Sequence, residues 1–170
     1  WSSDVCSSDL DSGSFKELLK LSSLNLNDNN LTKVDTDTFI GLNFLKELNM
    51  KNNFISKLST FRWLASLRTI HLTNNQIAYC NSITFSGLSS LLELDLSNNA
   101  LRVLETSTFM ECESLIMLNY RGNQISYLKG QAARDTFMPV WIDLSYNKLR
   151  DISPFLPSIT DRKSTRLNSS

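Results

Sequence analysis

Asparagine recurs along this chain at an almost constant interval, and that interval limits the possible folds more than any other feature. The recurring residues are Asn29, Asn53, Asn75, Asn99, Asn123 and Asn147, at spacings of 24, 22, 24, 24 and 24 residues. A period of this length indicates an array of stacked structural repeats, in which each repeat contacts only its neighbours. The chain is therefore expected to form a solenoid.

Each recurring asparagine is the ninth residue of an eleven-residue segment with a shared apolar pattern. The segments are LSSLNLNDNNL (21–31), LKELNMKNNFI (45–55), LRTIHLTNNQI (67–77), LLELDLSNNAL (91–101), LIMLNYRGNQI (115–125) and PVWIDLSYNKL (139–149). Their apolar residues alternate with polar ones, as Leu24 and Leu26 do in the first, which predicts a short strand with one buried face. One repeat is too small to bury that face, so the repeats must stack and their strands must form a parallel sheet.

A phenylalanine follows each of the first four segments, and it completes a pattern of the form LxxLxLxxNxLxxLxxxxFxxLxx over residues 14–152. This pattern resembles the leucine-rich repeat. The 24-residue unit with its phenylalanine is similar to the typical class of animal extracellular proteins, including Toll-like receptor ectodomains. The resemblance implies an α/β solenoid, a curved horseshoe with a parallel β-sheet on its concave face and irregular or short helical segments on its convex side.

The recurring asparagines and phenylalanines have structural roles in this interpretation. The chain must turn sharply after each strand, and an asparagine amide offers an acceptor and two donors to backbone groups that would otherwise be buried without partners. The resemblance implies that the six asparagines form a ladder along the solenoid. The phenylalanines are expected to pack as a spine on the convex side: Phe15, Phe39, Phe61, Phe85 and Phe109.

The repeat domain is expected to span residues 11–160, a fragment of about six repeats from a longer solenoid. The repeats are 21–44, 45–66, 67–90, 91–114, 115–138 and 139–160. The flanking segments, 1–10 and 161–170, do not fit the pattern. One DNA segment read on opposite strands encodes both of them and looks like a sequencing adapter. They are interpreted as adapter-derived, disordered tails and are excluded from the fold.

Two repeats depart from the pattern. The second is two residues short across Ser59–Phe61, which predicts a tighter convex connection. The fifth has Ala133 at the phenylalanine position, and Phe137 is expected to replace it within a different loop at 129–138. Cys80 and Cys112 occupy apolar positions and are expected to be buried, where a free thiol behaves as a small hydrophobic group.

Several classes of function lack support in the sequence. With 17 basic and 17 acidic residues the chain has no net charge, so no nucleic acid is predicted as a partner. Apolar runs fall short of the roughly 20 residues that span a bilayer, so membrane association would need an anchor outside this fragment. The chain has a single histidine, His71, and no Ser/His/Asp arrangement or phosphate-binding loop. No enzyme activity, metal site or cofactor is predicted.

The solvent-facing side of the sheet is the candidate binding surface. Trp, Tyr and Arg dominate interface energetics, and these residue types concentrate in the last two strand segments. The alternative is that the next repeat or the loop at 129–138 covers them. His71, between two core residues, is expected to face solvent, either as an ordinary surface residue or as a pH-sensitive contact. The candidate ligand-binding residues are Met117, Asn119, Arg121, Trp141, Asp143, Tyr146, Asp95 and His71.

The sequence thus predicts non-catalytic recognition of a protein or other macromolecular ligand by part of an extracellular or cell-surface receptor ectodomain. Two alternatives remain open at this point. One is a secreted or matrix scaffold, and the other is a cytosolic interaction module, which free thiols would suit. Asn30 begins an Asn-Leu-Thr sequon and is a possible glycosylation site in an extracellular setting.

Overall fold

The computed structural model describes residues 10–130 and 139–151, and the backbone of residues 165–166. One short strand from each of the six repeats enters a seven-stranded parallel sheet, and residues 165–166 supply the seventh strand. Neighbouring strands pair at equivalent repeat positions, so that Leu48 lies beside Leu24 and Ile70 beside Leu48. The strands are β1 (Ser23–Asn25), β3 (Glu47–Asn49), β5 (Thr69–His71), β6 (Glu93–Asp95), β8 (Met117–Asn119), β10 (Trp141–Asp143) and β11 (Thr165–Arg166). The expected leucine-rich repeat solenoid is confirmed.

Opposite this sheet the chain is mostly irregular, with two small parallel sheets of its own. The strands β2 (Lys33–Val34) and β4 (Lys57–Leu58) form one, and β7 (Val103–Glu105) and β9 (Tyr127–Lys129) form the other. A single turn of 3₁₀-helix, Thr106–Phe109, follows β7. The small sheets were not anticipated from the sequence, whereas the short helical turn agrees with the expected convex side.

The strands of the six repeats are short because each is followed by a residue with left-handed backbone geometry, which turns the chain out of the sheet. Asparagine, aspartate and glycine adopt this region most readily, and they hold it in five of the six repeats. The sixth holds a tyrosine. The residues and their φ angles are Asp28 (58°), Asn52 (54°), Asn74 (56°), Asn98 (52°), Gly122 (70°) and Tyr146 (56°).

The ninth-position asparagines form a continuous hydrogen-bonded ladder inside the stack. The Asn99 side chain accepts the Ile77 amide at 3.0 Å and donates to the carbonyls of Leu72 and Leu96 at 3.0 and 3.1 Å. Asn53, Asn75, Asn123 and Asn147 each bond in the same pattern to their own turn and to the preceding repeat. Each of these five amides therefore connects two adjacent repeats, whereas Asn29 in the first repeat donates to the Leu26 and Asn27 carbonyls of its own turn.

The phenylalanine rings stack along the opposite side of the core. Centroid distances between successive rings are 6.0, 6.0, 5.9 and 5.6 Å from Phe15 to Phe109. The short second repeat does not interrupt the series, because the Phe61 amide donates to the Thr84 carbonyl at 3.0 Å and holds the ring in line. The tighter connection expected at Ser59–Phe61 is therefore what the chain forms.

The C-terminal part of the stack differs from the pattern. The Tyr120 ring, fully buried, meets the edge of Phe109 at 6.3 Å, and thus packs against the last ring of the phenylalanine series. Ala133 and Phe137, which were expected to mark a changed loop, lie outside the described residues.

Of the flanking tails, the structure describes only residue 10 and the backbone of residues 165–166. Thr165–Arg166 pairs in parallel with Ile142 and Asp143 of β10. A disordered tail was expected here, and these two residues instead form a strand. The open edge of β10 explains the pairing, because unpaired backbone groups accept any strand that reaches them.

The ladder predicts the effect of removing one of its amides. Asn99→Ala leaves the Ile77 amide buried without a partner and removes one of the two asparagine donors from each of the Leu72 and Leu96 carbonyls, so the free energy of unfolding should fall by about 1–3 kcal/mol. Chemical denaturation measures this change. Asn43→Ala, at an exposed asparagine outside the ladder, is the control and should change stability by less than about 0.5 kcal/mol. Equal effects of the two substitutions would contradict the ladder.

Candidate functional site

In each repeat, the last residue of the concave strand lies at the centre of the concave face, and in most repeats its side chain bonds to the turn that follows. In five of the six repeats this side chain accepts the backbone amide two residues further on. In the last, the Asp143 carboxylate accepts the Ser145 amide at 2.8 Å and Asp143 is only 8% exposed. The other acceptors are Asn25 (3.1 Å), Asn49 (3.4 Å), Asp95 (2.9 Å) and Asn119 (3.0 Å).

This arrangement corrects part of the expected binding surface. Asp143 was expected to face solvent, but it is buried and engaged in its turn. Asp95 is half-buried, and its carboxylate also accepts the Ser97 hydroxyl at 2.6 Å. Asn119 is similarly engaged with the Arg121 amide. These side chains shape the concave face, and their hydrogen-bonding capacity is already partly used.

His71 is the exception in this central series. Its Nδ1 atom is buried and has no hydrogen-bond partner among the described residues. Burial and, second, the nearby Lys51 ammonium lower the pKa of the imidazole below 6.5, against the opposing effect of Asp95, Glu93 and Glu47. Protonation would place an unsatisfied N–H at this buried atom, so the neutral ring is favoured.

At the other end of the sheet, Arg121 and Tyr146 form a stacked pair beyond the ends of β8 and β10. The Arg121 guanidinium carbon lies 4.1 Å from the Tyr146 ring centroid, and its Nη1 donates to the Ser145 hydroxyl at 2.9 Å. Tyr146 is 64% exposed. The arginine is therefore held in place, while the tyrosine presents most of its surface to solvent.

Apolar side chains gather at the start of the same two strands. Met117 and Trp141 are register partners, and Met117 is 39% exposed while Trp141 is half-buried. Ile116 and Val140, one residue earlier in each repeat, are 48% and 50% exposed. We call Ile116, Met117, Val140, Trp141, Arg121 and Tyr146 the Trp141 patch.

Sequence reasoning missed Ile116 and Val140, although a signal was present. The second position of the repeat is polar in the first three repeats, where it holds Ser22, Lys46 and Arg68. In the last three it holds Leu92, Ile116 and Val140. Because this position lies outside the buried strand face, the change from polar to aliphatic residues marks a surface feature and not the core.

A second concave feature lies near the N-terminal end of the sheet. It is a shallow depression of about 310 Å³ lined by Ser23, Asn25, Glu47, Asn49, Thr69 and His71. The Ser23 hydroxyl donates to the Glu47 carboxylate at 3.2 Å. All six lining residues have polar side chains, and the depression lacks the tryptophan and tyrosine of the Trp141 patch.

Cys80 and Cys112 are buried free thiols. Burial raises the pKa of each thiol to about 12, with the Glu111 carboxylate adding to the effect at Cys112. The Cys112 Sγ donates to the Phe85 carbonyl at 3.6 Å. Since the thiolate is the reactive form, both residues act as core packing and neither is suited to catalysis or metal binding.

Other chemistry has little support in the described parts of the chain. Within residues 10–130 and 139–151, no three His, Cys, Asp or Glu side chains come together in a way that would hold a metal ion. No helix in the portion that the structure describes is long and apolar enough to cross a membrane.

Comparison with known proteins identifies the family. The leucine-rich repeat family matches residues 8–55, 19–77 and 65–125, which together cover most of the chain. The chain therefore belongs to the leucine-rich repeat family, whose fold is a scaffold for recognition. No curated protein matches the sequence.

Two solved structures share the fold at low sequence identity. The TLR13–ssRNA13 complex superposes with a TM-score of 0.64 and 22% identity, covering 94% of this chain and 27% of that one. An internalin (inlF) from Listeria monocytogenes superposes with a TM-score of 0.62 and 22% identity, covering 95% and 52%. The chain thus spans about a quarter to a half of these proteins.

His71 predicts a pH dependence of stability. The pKa of His71 is lowered in the folded chain. When the pH falls below about 6.5, the imidazole therefore binds a proton more readily in the unfolded chain than in the folded chain. Stability should therefore decrease as the pH falls from about 7 to about 5. His71→Asn removes this contribution and restores the side chain that Asn25, Asn49 and Asn119 provide elsewhere.

The variant is expected to gain about 0.5–1.5 kcal/mol near neutral pH from the restored amide bond. Denaturant unfolding of both proteins at several pH values gives the comparison. Parallel curves for the two proteins, with no extra loss for the wild type at low pH, would contradict the assignment to His71.

Proposed function

We propose that this chain is part of an extracellular recognition domain, similar to a Toll-like receptor ectodomain, that binds a protein ligand without catalysis through the Trp141 patch. The observation that carries the proposal is Tyr146. Its left-handed backbone, with φ of 56°, costs a bulky residue about 1–2 kcal/mol. The other repeats avoid this cost with Asp, Asn or Gly. Strain of this kind is typical of functional sites.

The composition of the patch supports a role in binding. Tyr, Trp and Arg are the residue types that contribute most to interface energetics, and the patch combines all three with exposed Ile, Met and Val side chains. Arg121 is fixed by its stack on Tyr146 and its bond to Ser145, so little conformational entropy remains to be lost when a ligand binds.

The charge of the chain favours a protein over a nucleic acid. Seventeen basic residues are balanced by seventeen acidic ones, whereas binding to phosphates requires a basic surplus. The TLR13 structure is a complex with single-stranded RNA, which makes such an RNA the natural comparison ligand in a binding test.

The thiols do not favour the cytosolic alternative. Cys80 and Cys112 are buried with raised pKa values, so they stay reduced through inaccessibility in any compartment. The sequon at Asn30 lies on an exposed residue, as glycosylation in the secretory pathway requires. A secreted scaffold would share these features, and differs from the receptor in what is attached to the repeats.

Binding through the patch predicts that stability and binding respond in opposite directions to one substitution. Tyr146→Gly relieves the left-handed strain, because Gly122 holds the same place in the preceding repeat, and it should raise the free energy of unfolding by up to about 1 kcal/mol. The same change should lose the protein ligand that the wild-type chain captures from a mixture of secreted proteins. A variant with higher stability and lower binding cannot be explained by misfolding.

The matched control is a second arginine–aromatic pair on the convex side. Arg62 lies 4.8 Å from the Trp63 ring, so Arg62→Ala removes a comparable stack away from the patch and should leave capture unchanged. Trp141→Ala should abolish capture. Equal capture by wild type and Trp141→Ala would refute the proposed site, and saturable binding of single-stranded RNA at the patch in place of protein would refute the ligand class.

The extracellular setting predicts a glycan on the native protein at Asn30. Enzymatic release of N-glycans in heavy-oxygen water converts a glycosylated asparagine to labelled aspartate, which mass spectrometry detects in the peptide containing Asn30. Native protein in which this peptide is entirely unlabelled, recovered from the cytosolic fraction, would favour the cytosolic interaction module.

A further inference from the structure

A column of exposed side chains runs along the flank that follows each concave strand. It consists of the thirteenth residue of five successive repeats, and all of its members are exposed: Lys57, Tyr79, Val103, Tyr127 and Asp151. The exposed fractions of Tyr79, Val103 and Tyr127 are 57%, 36% and 61%. The column is apolar in its middle and has opposite charges at its two ends.

The geometry of this flank makes it a surface and not part of the core. In β7 and β9 the central residues, Leu104 and Leu128, point inward and are 3% and 5% exposed. Val103 and Tyr127 are register partners at the starts of these strands and point outward. The Lys129–Glu105 ion pair, at 2.9 Å, borders the column on one side.

We propose that this flank is an interface between two copies of the chain, related by a two-fold axis that passes Val103 at right angles to the column. This axis places the column of one copy against the column of the other, with the repeats of the two copies running in opposite directions. Val103 then meets its own copy and Tyr79 meets Tyr127. Lys57 meets Asp151 at both ends of the interface.

The order of residues is what identifies a second copy as the partner. A two-fold interface must be complementary to itself, and the series Lys, Tyr, Val, Tyr, Asp meets this condition when it is reversed. Each tyrosine then faces a tyrosine of the other copy, and each charged residue faces one of opposite charge. In the parallel arrangement Lys57 would face Lys57 and Asp151 would face Asp151, and like charges across an interface disfavour that complex.

The interface is independent of the proposed ligand site. The Trp141 patch lies on the concave strands and immediately beside them, whereas this column lies beyond the next turn, where Lys57, Val103 and Tyr127 belong to the small outer sheets. Arg102, exposed beside Val103, faces its own copy near the axis, and this repulsion limits the affinity. A reversible, concentration-dependent dimer is therefore expected.

Analytical ultracentrifugation of the complete chain over a range of concentrations tests the interface. The wild type should pass from monomer to a closed dimer and stop there. Tyr79→Ala combined with Tyr127→Ala should raise the dissociation constant by about tenfold or more. Phe44→Ala removes an aromatic ring of similar exposure, 63%, outside the column and should leave the constant unchanged. Thermal unfolding followed by circular dichroism verifies that each variant is folded.

Charge reversal tests the antiparallel register. Lys57→Asp and Asp151→Lys each place like charges opposite one another and should weaken the dimer, while the two changes together should restore it. A monomer at every concentration would overturn the proposal. So would a dimer that is insensitive to the tyrosine substitutions, or a failure of the double reversal to restore association. Open-ended growth into larger species, as end-to-end stacking of solenoids would produce, would also overturn it.

Discussion

Each turn of this solenoid leaves backbone amides and carbonyls inside the stack, and the asparagine that satisfies them is the interaction on which the rest of the structure depends. One amide such as that of Asn99 accepts a backbone N–H and donates to two carbonyls in adjacent repeats. No aliphatic residue offers both functions. The repeats therefore stack in one register, and the strands, the phenylalanine series and the surface columns follow from that register.

The same constraint decides which concave side chains remain for recognition. Central residues such as Asp143 and Asn119 are engaged with backbone amides of their own turns. Met117, Trp141 and Arg121 lie on either side of these central positions, and their side chains do not accept a backbone amide of their own turn. Side chains at these outward positions can therefore differ between repeats without disturbing the turns. Tyr146 is an exception, because a tyrosine with left-handed backbone geometry is strained. Gly122, at the same position of the preceding repeat, adopts that geometry without strain.

Periodicity was sufficient to predict the fold, because a residue required in every turn leaves a regular trace in the sequence. The strand positions, the stacked rings and the buried cysteines all follow from the repeat. The site was harder to predict. Alternation places Asp143 on the solvent side, but alternation contains no information about the amide at Ser145 that draws its carboxylate inward. Ile116 and Val140 were missed because they look like core residues until they are compared, position by position, with Lys46 and Arg68.

Amide hydrogen exchange tests the ladder most directly, because it reports on individual backbone bonds in solution. The amides of Ile77 and Leu101 donate to the side-chain oxygens of Asn99 and Asn123, and neither residue belongs to a strand. If the ladder closes the stack, these amides exchange only through global unfolding, as slowly as those of the strands. Exchange at the rate of an unstructured peptide, while the strand amides remain protected, would contradict the account.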